Sequence, residues 1–217
     1  MCNLSYNIIS TGSDGNAVVL ENKVLVDCGV SYKAIEPYES KLCMVLLTHI
    51  HGDHFNRSTI RRLAAERPTL RFGAGAWLAA DLVAAGVRKN NIDILTPDKH
   101  YDYKICIVTP VKLTHNVPNC GYKIRFPRGK VIYATDTGTL NGIVAKDYDL
   151  YLIEANYEDA EIQERIREKQ AAGEYAYEVH AIHNHLSKAR CDDWVYSNIG
   201  SRGEYVYMHQ HRPKEVG

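Results

Sequence analysis

The run Thr48-His49-Ile50-His51-Gly52-Asp53-His54 is the feature of this 217-residue chain that most restricts its fold. It places three histidines and a carboxylate directly after residues 42–47, a short apolar segment that has the pattern of a buried strand. Imidazole nitrogens and carboxylate oxygens are the ligands that zinc and similar divalent ions prefer. Because residues two apart point the same way on an extended backbone, the first two histidines can share one ion. The carboxylate and the last histidine can reach a second ion beyond a turn.

Gly52 lies at the centre of this run and permits the turn. We expect it to be required, because a side chain at this position would crowd the ligand loop.

Four ligand residues do not complete two metal sites, and three residues elsewhere are placed to do so. His115 follows the apolar stretch 105–113, and Asp136 follows the apolar stretch 131–134. His185 directly precedes a predicted helix. Loops at strand ends are where functional residues gather in layered α/β folds, so these positions predict the missing ligands.

The remaining pattern predicts a single α/β domain over residues 1–217, with helices covering sheets. Apolar and β-branched segments predict strands at 6–10, 17–21, 23–27, 42–47, 104–108, 121–126, 131–134, 150–153 and 205–208. Helical periodicity and capping residues predict helices at 56–66, 77–85, 139–146, 158–172 and 187–196. Asn56 and Ser187 are the predicted N-caps of two of them.

Composition restricts the binding mode, the state of the cysteines and the cellular location that we expect. The formal net charge is +0, so binding to nucleic acid would have to use a local basic patch. The six cysteines form no Cys-x-x-Cys pair and predict reduced thiols, including Cys43, packed as small hydrophobes. The N-terminus lacks a signal-peptide pattern, and the longest apolar run falls short of the roughly 18 residues that span a bilayer. We therefore expect a cytoplasmic protein that is not in a membrane.

The order of the candidate ligands resembles the metallo-β-lactamase superfamily, and the resemblance covers nearly the whole chain. Val26-Asp27-Cys28-Gly29 is similar to an early element of that family whose aspartate supports the metal loop. The resemblance implies a four-layered αβ/βα sandwich with two metal ions between two sheets. It also implies which residues hold each ion. The first ion would be held by His49, His51 and His115, the second by Asp53, His54 and His185, and Asp136 would bridge them.

Three short motifs resemble the exonuclease-like (YycJ/WalJ-like) and ribonuclease Z-like branch of the superfamily. They are the turn Gly12-Ser13-Asp14-Gly15-Asn16, the element Glu154-Ala155-Asn156 and the late motif His185-Leu186-Ser187. The late motif favours His185 over the nearby His180 and His183, which periodicity alone does not separate from it.

The resemblance implies a metal-dependent phosphodiesterase or nuclease, exonuclease-like, with DNA as the favoured substrate. Two divalent ions, with zinc expected and manganese or iron as alternatives, would hold a bridging hydroxide as nucleophile. Asp53 is placed to orient it, and His185, Glu154 and His209 are candidates to protonate the leaving oxygen. For His211, an approach to the site from the last strand and a place in a solvated tail are equally good interpretations. A small-molecule ester, lactone or thioester hydrolase of the same fold is the alternative, and a metal-binding interaction protein without turnover is a third hypothesis.

Basic residues beyond the metal loop are candidate contacts for a phosphate backbone. The sequence offers Arg57, Arg61, Arg62, Arg67, Arg71, Lys188 and Arg190. An arginine-bearing helix is more often a solvated outer face, so the sequence favours that interpretation for most of them.

Overall fold

The computed structural model describes residues 4–210, and two six-stranded sheets organise that part of the chain. The first sheet has the spatial order of the sequence: β1 (Tyr6–Ser10), β2 (Ala17–Leu20), β3 (Val24–Val26), β4 (Met44–Leu47), β5 (Arg71–Ala74) and β6 (Ile92–Ile94). In the second sheet, too, strands that are consecutive in the chain are neighbours, from β7 at one edge to β12 at the other. Its strands are β7 (Tyr101–Asp102), β8 (Ile107–Leu113), β9 (Asn119–Phe126), β10 (Gly129–Ala134), β11 (Leu150–Glu154) and β12 (Glu204–Met208).

Helices cover the outer faces of the two sheets. They are α1 (Tyr32–Glu39), α2 (Arg57–Glu66), α3 (Ala79–Ala84), α4 (Asp159–Ala171), α5 (Glu178–Asn184) and α6 (Lys188–Tyr196). Apolar residues of α1, α2 and α3 pack on one face of the first sheet, and those of α6 pack on one face of the second. A third cluster fills the space between the sheets. The result is the predicted helix–sheet–sheet–helix sandwich.

Strand direction brings the candidate site residues to one edge of this sandwich. Strands β3 and β4 are parallel, so Asp27 and His49 leave the first sheet at the same end. In the second sheet β10, β11 and β12 are parallel, and β8 shares their direction because each of β8 and β10 is antiparallel to β9. The chain beyond the carboxyl ends of these strands carries His115, Asp136 and His209. Residues far apart in sequence therefore meet at one edge.

The structure differs from the predicted elements in three places. Residues 139–146 form no helix, because the chain turns at Gly142 with a φ of 81° and Ala145 bonds instead to Asn198 and Tyr151. Strand β8 begins after a turn at Lys104, whose φ of 66° is incompatible with a strand there. Cys43 is exposed rather than packed in the core.

The sequence also left five elements unpredicted, namely α1, α5, β5, β6 and β7. The two predicted caps are present: Asn56 accepts from the Thr59 N–H at 3.1 Å, and Ser187 accepts from the Arg190 N–H at 3.4 Å. Cys2 and His211 lie outside the described residues. No helix among residues 4–210 combines the length and the apolar character needed to cross a bilayer.

Candidate metal centre

Three imidazoles converge at the edge where β4 and β8 end. Nε2 of His49 lies 3.1 Å from Nδ1 of His51, and Nε2 of His115 lies 3.3 Å from that same atom. The outward nitrogens are engaged elsewhere. Nδ1 of His115 donates to the carbonyl of Asn184 at 3.1 Å, and Nδ1 of His49 lies 3.0 Å from Oγ1 of Thr48. The rings of His49 and His115 are therefore oriented by their far nitrogens, and their near nitrogens are directed at Nδ1 of His51.

This arrangement fits a divalent metal ion. Two nitrogens on a tetrahedral zinc at ~2.1 Å lie about 3.4 Å apart, close to the separations seen here. Burial, together with the charge of the nearby His54, lowers the pKa of His49 to about 2. Burial also lowers the pKa of His115. Both rings are held neutral, which is the form that binds a metal.

Asp27 supports the metal loop from below, as the resemblance implies. Its buried carboxylate accepts from the backbone N–H of Thr48 at 3.0 Å, from Nδ1 of His54 at 2.7 Å and from the Tyr133 hydroxyl at 3.0 Å. Since a carboxylate only accepts, the Nδ1 of His54 carries the proton and its Nε2 is directed into the site. Burial opposes protonation of His54, but Asp27 and Asp136 outweigh it and hold its pKa well above the ordinary value.

Asp136 lies between the two halves of the cluster. Its Oδ2 is 2.9 Å from Nε2 of His54, and its Oδ1 is 3.8 Å from Nε2 of His115. Oδ2 is buried, and with the proton of His54 on Nδ1, as Asp27 requires, it receives no hydrogen bond within the described residues. Two buried acceptor atoms that face each other at 2.9 Å are costly, and a cation bound between them would remove that cost. Its position matches the bridging role that the resemblance implies.

A second set of donor atoms lies beside the first. Asp53, His54 and His209 each offer a donor atom within 4.8 Å of the others, and His49, His54 and Asp136 form an overlapping group. His209 reaches the site from the end of β12, and its Nε2 lies 3.3 Å from Oδ2 of Asp53. The structure thus brings together all the predicted ligands and adds His209 next to Asp53.

His185 falls in a different group from the one expected. Its donor atoms cluster with those of Asp136, Glu154 and His209, whereas the resemblance groups it with Asp53 and His54. Nδ1 of His185 lies 2.7 Å from Oε1 of Glu154, and the ring stacks on His209 with centroids 5.3 Å apart.

Glu154 is fully buried behind the two histidines. Its Oε1 also lies 3.2 Å from Nδ1 of His209, and its Oε2 accepts from the backbone N–H groups of Thr137 at 2.8 Å and Leu186 at 3.3 Å. Burial opposes protonation of His209, but hydrogen bonds to Asp53 and Glu154, with the charge of Asp136, raise its pKa to about 10.

Two residues outside the predicted ligand set shape the metal loop. Asn16, fully buried, directs its amide nitrogen at Nε2 of His54 (2.9 Å) and at Oδ2 of Asp53 (3.3 Å). In the sequence, Asn16 was part of the glycine-rich turn that resembles the family motif, but no contact with the metal loop was predicted for it. A Cβ on Gly29 would lie 1.7 Å from the carbonyl oxygen of Asp53, so only glycine fits there.

The prediction that Gly52 must lack a side chain is wrong. A Cβ there would meet nothing within 4 Å, and its φ lies outside the left-handed region. The close approach that requires glycine occurs at Gly29 instead, because the backbone of the metal loop packs against β3's carboxyl end.

A cavity of about 550 Å³ adjoins the centre. It is bordered by His185 and His209 on the metal side and by Tyr157, Ile162 and Tyr177 from the α4–α5 region. Cavities of this size hold small organic ligands, with apolar walls and a few polar groups fixing orientation.

Most of the predicted phosphate-contacting arginines are neutralised by ion pairs. Arg57 pairs with Asp81, Arg62 with Glu36 and Glu66, Arg67 with Glu39, and Arg71 with Asp93. Lys188 pairs with Glu158 at 2.9 Å, and Arg190 contacts the carbonyl of Gly138 at 3.5 Å. The interpretation of α2 as a solvated outer face is the one that this geometry supports.

A histidine and carboxylate cluster at the edge between two helix-covered sheets defines a class of metal-dependent hydrolases. The chain belongs to the β-lactamase superfamily, since residues 22–191 match the family model described as the beta-lactamase superfamily domain. The superfamily that the motifs predicted is therefore confirmed, as is its fold. Members of this family bind divalent metals, often zinc.

Solved structures share this fold at low sequence identity. YhfI from Bacillus subtilis, a metallo-β-lactamase fold protein, superposes with a TM-score of 0.72 at 18% identity, over 97% of this chain and 88% of that one. Human tRNase Z, short form, gives 0.70 at 16% identity, over 95% and 92%. A diphosphatase from the PhnP family gives 0.66 at 13% identity, over 96% and 87%. Curated protein sequences give no significant match.

Proposed function

We propose that this chain is a dinuclear metal-dependent phosphodiesterase that cleaves nucleic acid. The observation that carries the proposal is the pair of adjoining ligand groups, His49-His51-His115 and Asp53-His54-His209, with the buried carboxylate of Asp136 between them. Two adjoining sites suit displacement at phosphorus, because both the attacking and the leaving oxygen need their charge stabilised.

The donor set favours zinc, with manganese or iron as alternatives, because it combines neutral imidazoles with carboxylates. The first ion would be held by His49, His51 and His115. The second would be held by Asp53 and His54, with His185 or His209 completing it and Asp136 shared. Bound divalent ions supply Lewis acidity, which makes a water nucleophilic near neutral pH and stabilises charge on phosphoryl oxygens.

The chain's own groups supply proton handling. Burial opposes ionisation of Asp53, but hydrogen bonds from His209 and His54 hold its pKa below the ordinary value, so it stays an acceptor able to orient an attacking water. Where His185 completes the second ion, His209 remains free to carry the proton that a leaving oxygen needs, and its raised pKa in the metal-free protein favours that role. Glu154 has no exposed surface and engages both histidines, so we assign it a positioning role rather than proton transfer.

Two neighbours support a phosphorus-centred reaction. The human structure is a tRNase Z, and the PhnP-family structure is a diphosphatase. The sequence motifs favour DNA, whereas the tRNase Z neighbour favours RNA, so both substrates are tested. The cavity beside His185 favours a second candidate, hydrolysis of a small nucleotide-type phosphoester, because about 550 Å³ accommodates a single nucleotide.

The test incubates purified protein with labelled single- and double-stranded DNA and RNA in the presence of Mn²⁺ or Zn²⁺. Metal-dependent cleavage that is lost in Asp53→Ala and His54→Ala supports the proposal. Gly52→Ala, which alters the same loop without touching a ligand, is the matched control and should retain activity. Turnover of a lactone or thioester, with no phosphodiester cleaved under any condition, would establish the alternative class instead.

A further inference from the structure

The outer face of the second sheet carries a groove of about 330 Å³ that is lined by two lysines, an arginine and a histidine, together with Ile107, Thr109 and Tyr148. We call it the basic groove and define it by His100, Thr109, Lys123, Arg125, Lys130 and Tyr148. It lies on β8, β9 and β10, toward the end opposite the candidate ligands. None of these residues belongs to the metal centre.

Strand register places the three cations of the groove on one face. Lys123 and Arg125 are two apart on β9 and point the same way. Arg125 is directly opposite Lys130 on β10, and Lys123 is directly opposite Thr109 on β8. Like charges directly opposite each other across strands destabilise a sheet. The fold therefore bears a repulsion here that a bound anion would relieve.

Nearby carboxylates offset this repulsion only in part, since Asp149 accepts from the backbone N–H of Lys130 at 2.8 Å and Asp98 acts on Lys123 from beyond ion-pair distance. Within residues 4–210, neither Lys123 nor Arg125 has a carboxylate at ion-pair distance, in contrast to the paired arginines near α2. Lys130 contacts the carbonyl of Lys146 at 3.4 Å and lies 5.0 Å from the ring centre of Tyr148. Burial lowers the pKa of the half-buried Lys123, and only the charge of Asp98 opposes that effect. Arg125 and Lys130, which form no ion pair within the described residues, therefore supply most of the charge that a ligand would meet.

Anions of several kinds are attracted by lysine and arginine, but a row of cations across three strands suits a polyanion. The groove also contains an aromatic ring, Tyr148, beside two of its cations. Because the net charge of the chain is +0, a nucleic acid must be held by a local patch of this kind.

We propose that the basic groove binds the phosphodiester backbone of the nucleic-acid substrate at a distance from the reacting bond. This inference rests on the proposed nuclease function. Strands β8 and β10 lead from the groove toward His115 and Asp136. At about 3.3 Å per residue the groove lies roughly 13–20 Å from the metal centre along the strands. A nucleic acid strand with one phosphate per ~3.4 Å covers that distance with about four to six phosphates.

The test compares two double variants with equal loss of charge. Arg125→Gln/Lys130→Gln removes two cations from the groove, and leaves the half-buried Lys123 in place so that the sheet is undisturbed. Lys33→Gln/Lys41→Gln removes two exposed cations from α1 and the turn that follows it, on the outer face of the first sheet. Binding of a fluorescein-labelled 20-nucleotide single strand to metal-free protein is measured by anisotropy between 50 and 200 mM salt.

The groove variant should bind roughly 25-fold more weakly at 100 mM salt, and its log affinity should fall with log salt by about 1.4 less steeply, the value for two phosphate contacts on a single strand. The control variant should bind like the wild type. In turnover, kcat/KM of the groove variant should fall on the 20-nucleotide strand and stay unchanged on bis(4-nitrophenyl) phosphate.

Equal binding by wild type and groove variant, or no binding by either, overturns the role of the groove. The binding measurement does not depend on cleavage. If no phosphodiester is hydrolysed by any of the proteins, the proposed function fails while the anisotropy result still decides what the groove binds.

Discussion

The substitution Asp27→Asn tests whether the buried carboxylate fixes the metal loop. Asparagine keeps the size of the side chain but places an NH₂ group where one oxygen stood, facing Nδ1 of His54 and the Tyr133 hydroxyl. Both hydrogen bonds to that oxygen would be lost, and bonds to a charged group contribute about 1.5–3 kcal/mol each. In place of the lost bond, the neutral NH₂ could only donate to Nδ1 of His54, and this reversed bond would move the ring proton to Nε2, where it points into the site.

We expect Asp27→Asn to lower the free energy of unfolding of metal-free protein by about 2–4 kcal/mol, measured by urea denaturation. Zinc affinity, measured by competition with a chromophoric chelator, should fall about 10- to 100-fold. Tyr133→Phe is the matched control: it removes one donor to the same carboxylate, should cost about 1 kcal/mol, and should leave zinc affinity within a few-fold of wild type. If Asp27→Asn loses stability but binds zinc like wild type, Asp27 is a structural residue and the reasoning is wrong.

Further predictions concern pH, packing and metal. In metal-free protein, the raised pKa of His209 contributes a stabilisation that is fully present below pH 6.5 and is lost as the pH rises toward 10. The urea midpoint of wild type should therefore fall over this pH range, and in His209→Gln it should change less with pH. Gly29→Ala should destabilise the protein by about 1–3 kcal/mol or more in thermal unfolding and weaken zinc binding, because a Cβ would displace the Asp53 carbonyl, whereas Gly52→Ala should stay within ~0.5 kcal/mol. Zinc at a hundredfold excess over its dissociation constant should stabilise wild type by about 2.7 kcal/mol, which raises Tm by roughly 5–11 °C, and this rise should be largely lost in His54→Ala. A flat midpoint in wild type, tolerance of alanine at Gly29 or an unchanged Tm would contradict the respective prediction.

The metal loop could be predicted from the sequence because its four candidate ligands lie within residues 49–54. His49 and His51 sit two apart after a strand with no polar residue, so their chemistry and their place in the fold came from one short segment. The contribution of His209 was harder to see. It depends on the parallel pairing of β11 with β12, which sets Met208 beside Glu154 and brings the next residue to the site.

Elements with weak local signals were the ones that the sequence missed or misplaced. Strand β5 contains Gly73 in a four-residue segment that begins with Arg71, and α1 contains Pro37, so neither shows a clear period. The false helix at 139–146 had acceptable composition, but tertiary bonds from Asn198 and Tyr151 hold that backbone in a turn. Long-range hydrogen bonds decided these cases.

Glycine requirements also follow from tertiary contacts rather than from the motif. The sequence directed attention to Gly52 because it lies among the ligands, whereas the steric need is at Gly29, on a neighbouring strand end. The same holds for charge: the arginines of α2 form an obvious basic segment in the sequence, yet ion pairs neutralise most of them. The cations of the basic groove, in contrast, come from separate strands without an obvious basic segment, and the register of the sheet places them side by side.

Stepwise loading of the chelated protein with zinc or manganese, with bis(4-nitrophenyl) phosphate hydrolysis followed at each addition, tests the central claim most directly. The account predicts that the chain binds two ions and that phosphodiester hydrolysis rises as the second one binds. Full activity with a single ion, or a protein that binds two ions and hydrolyses no phosphodiester, would contradict it.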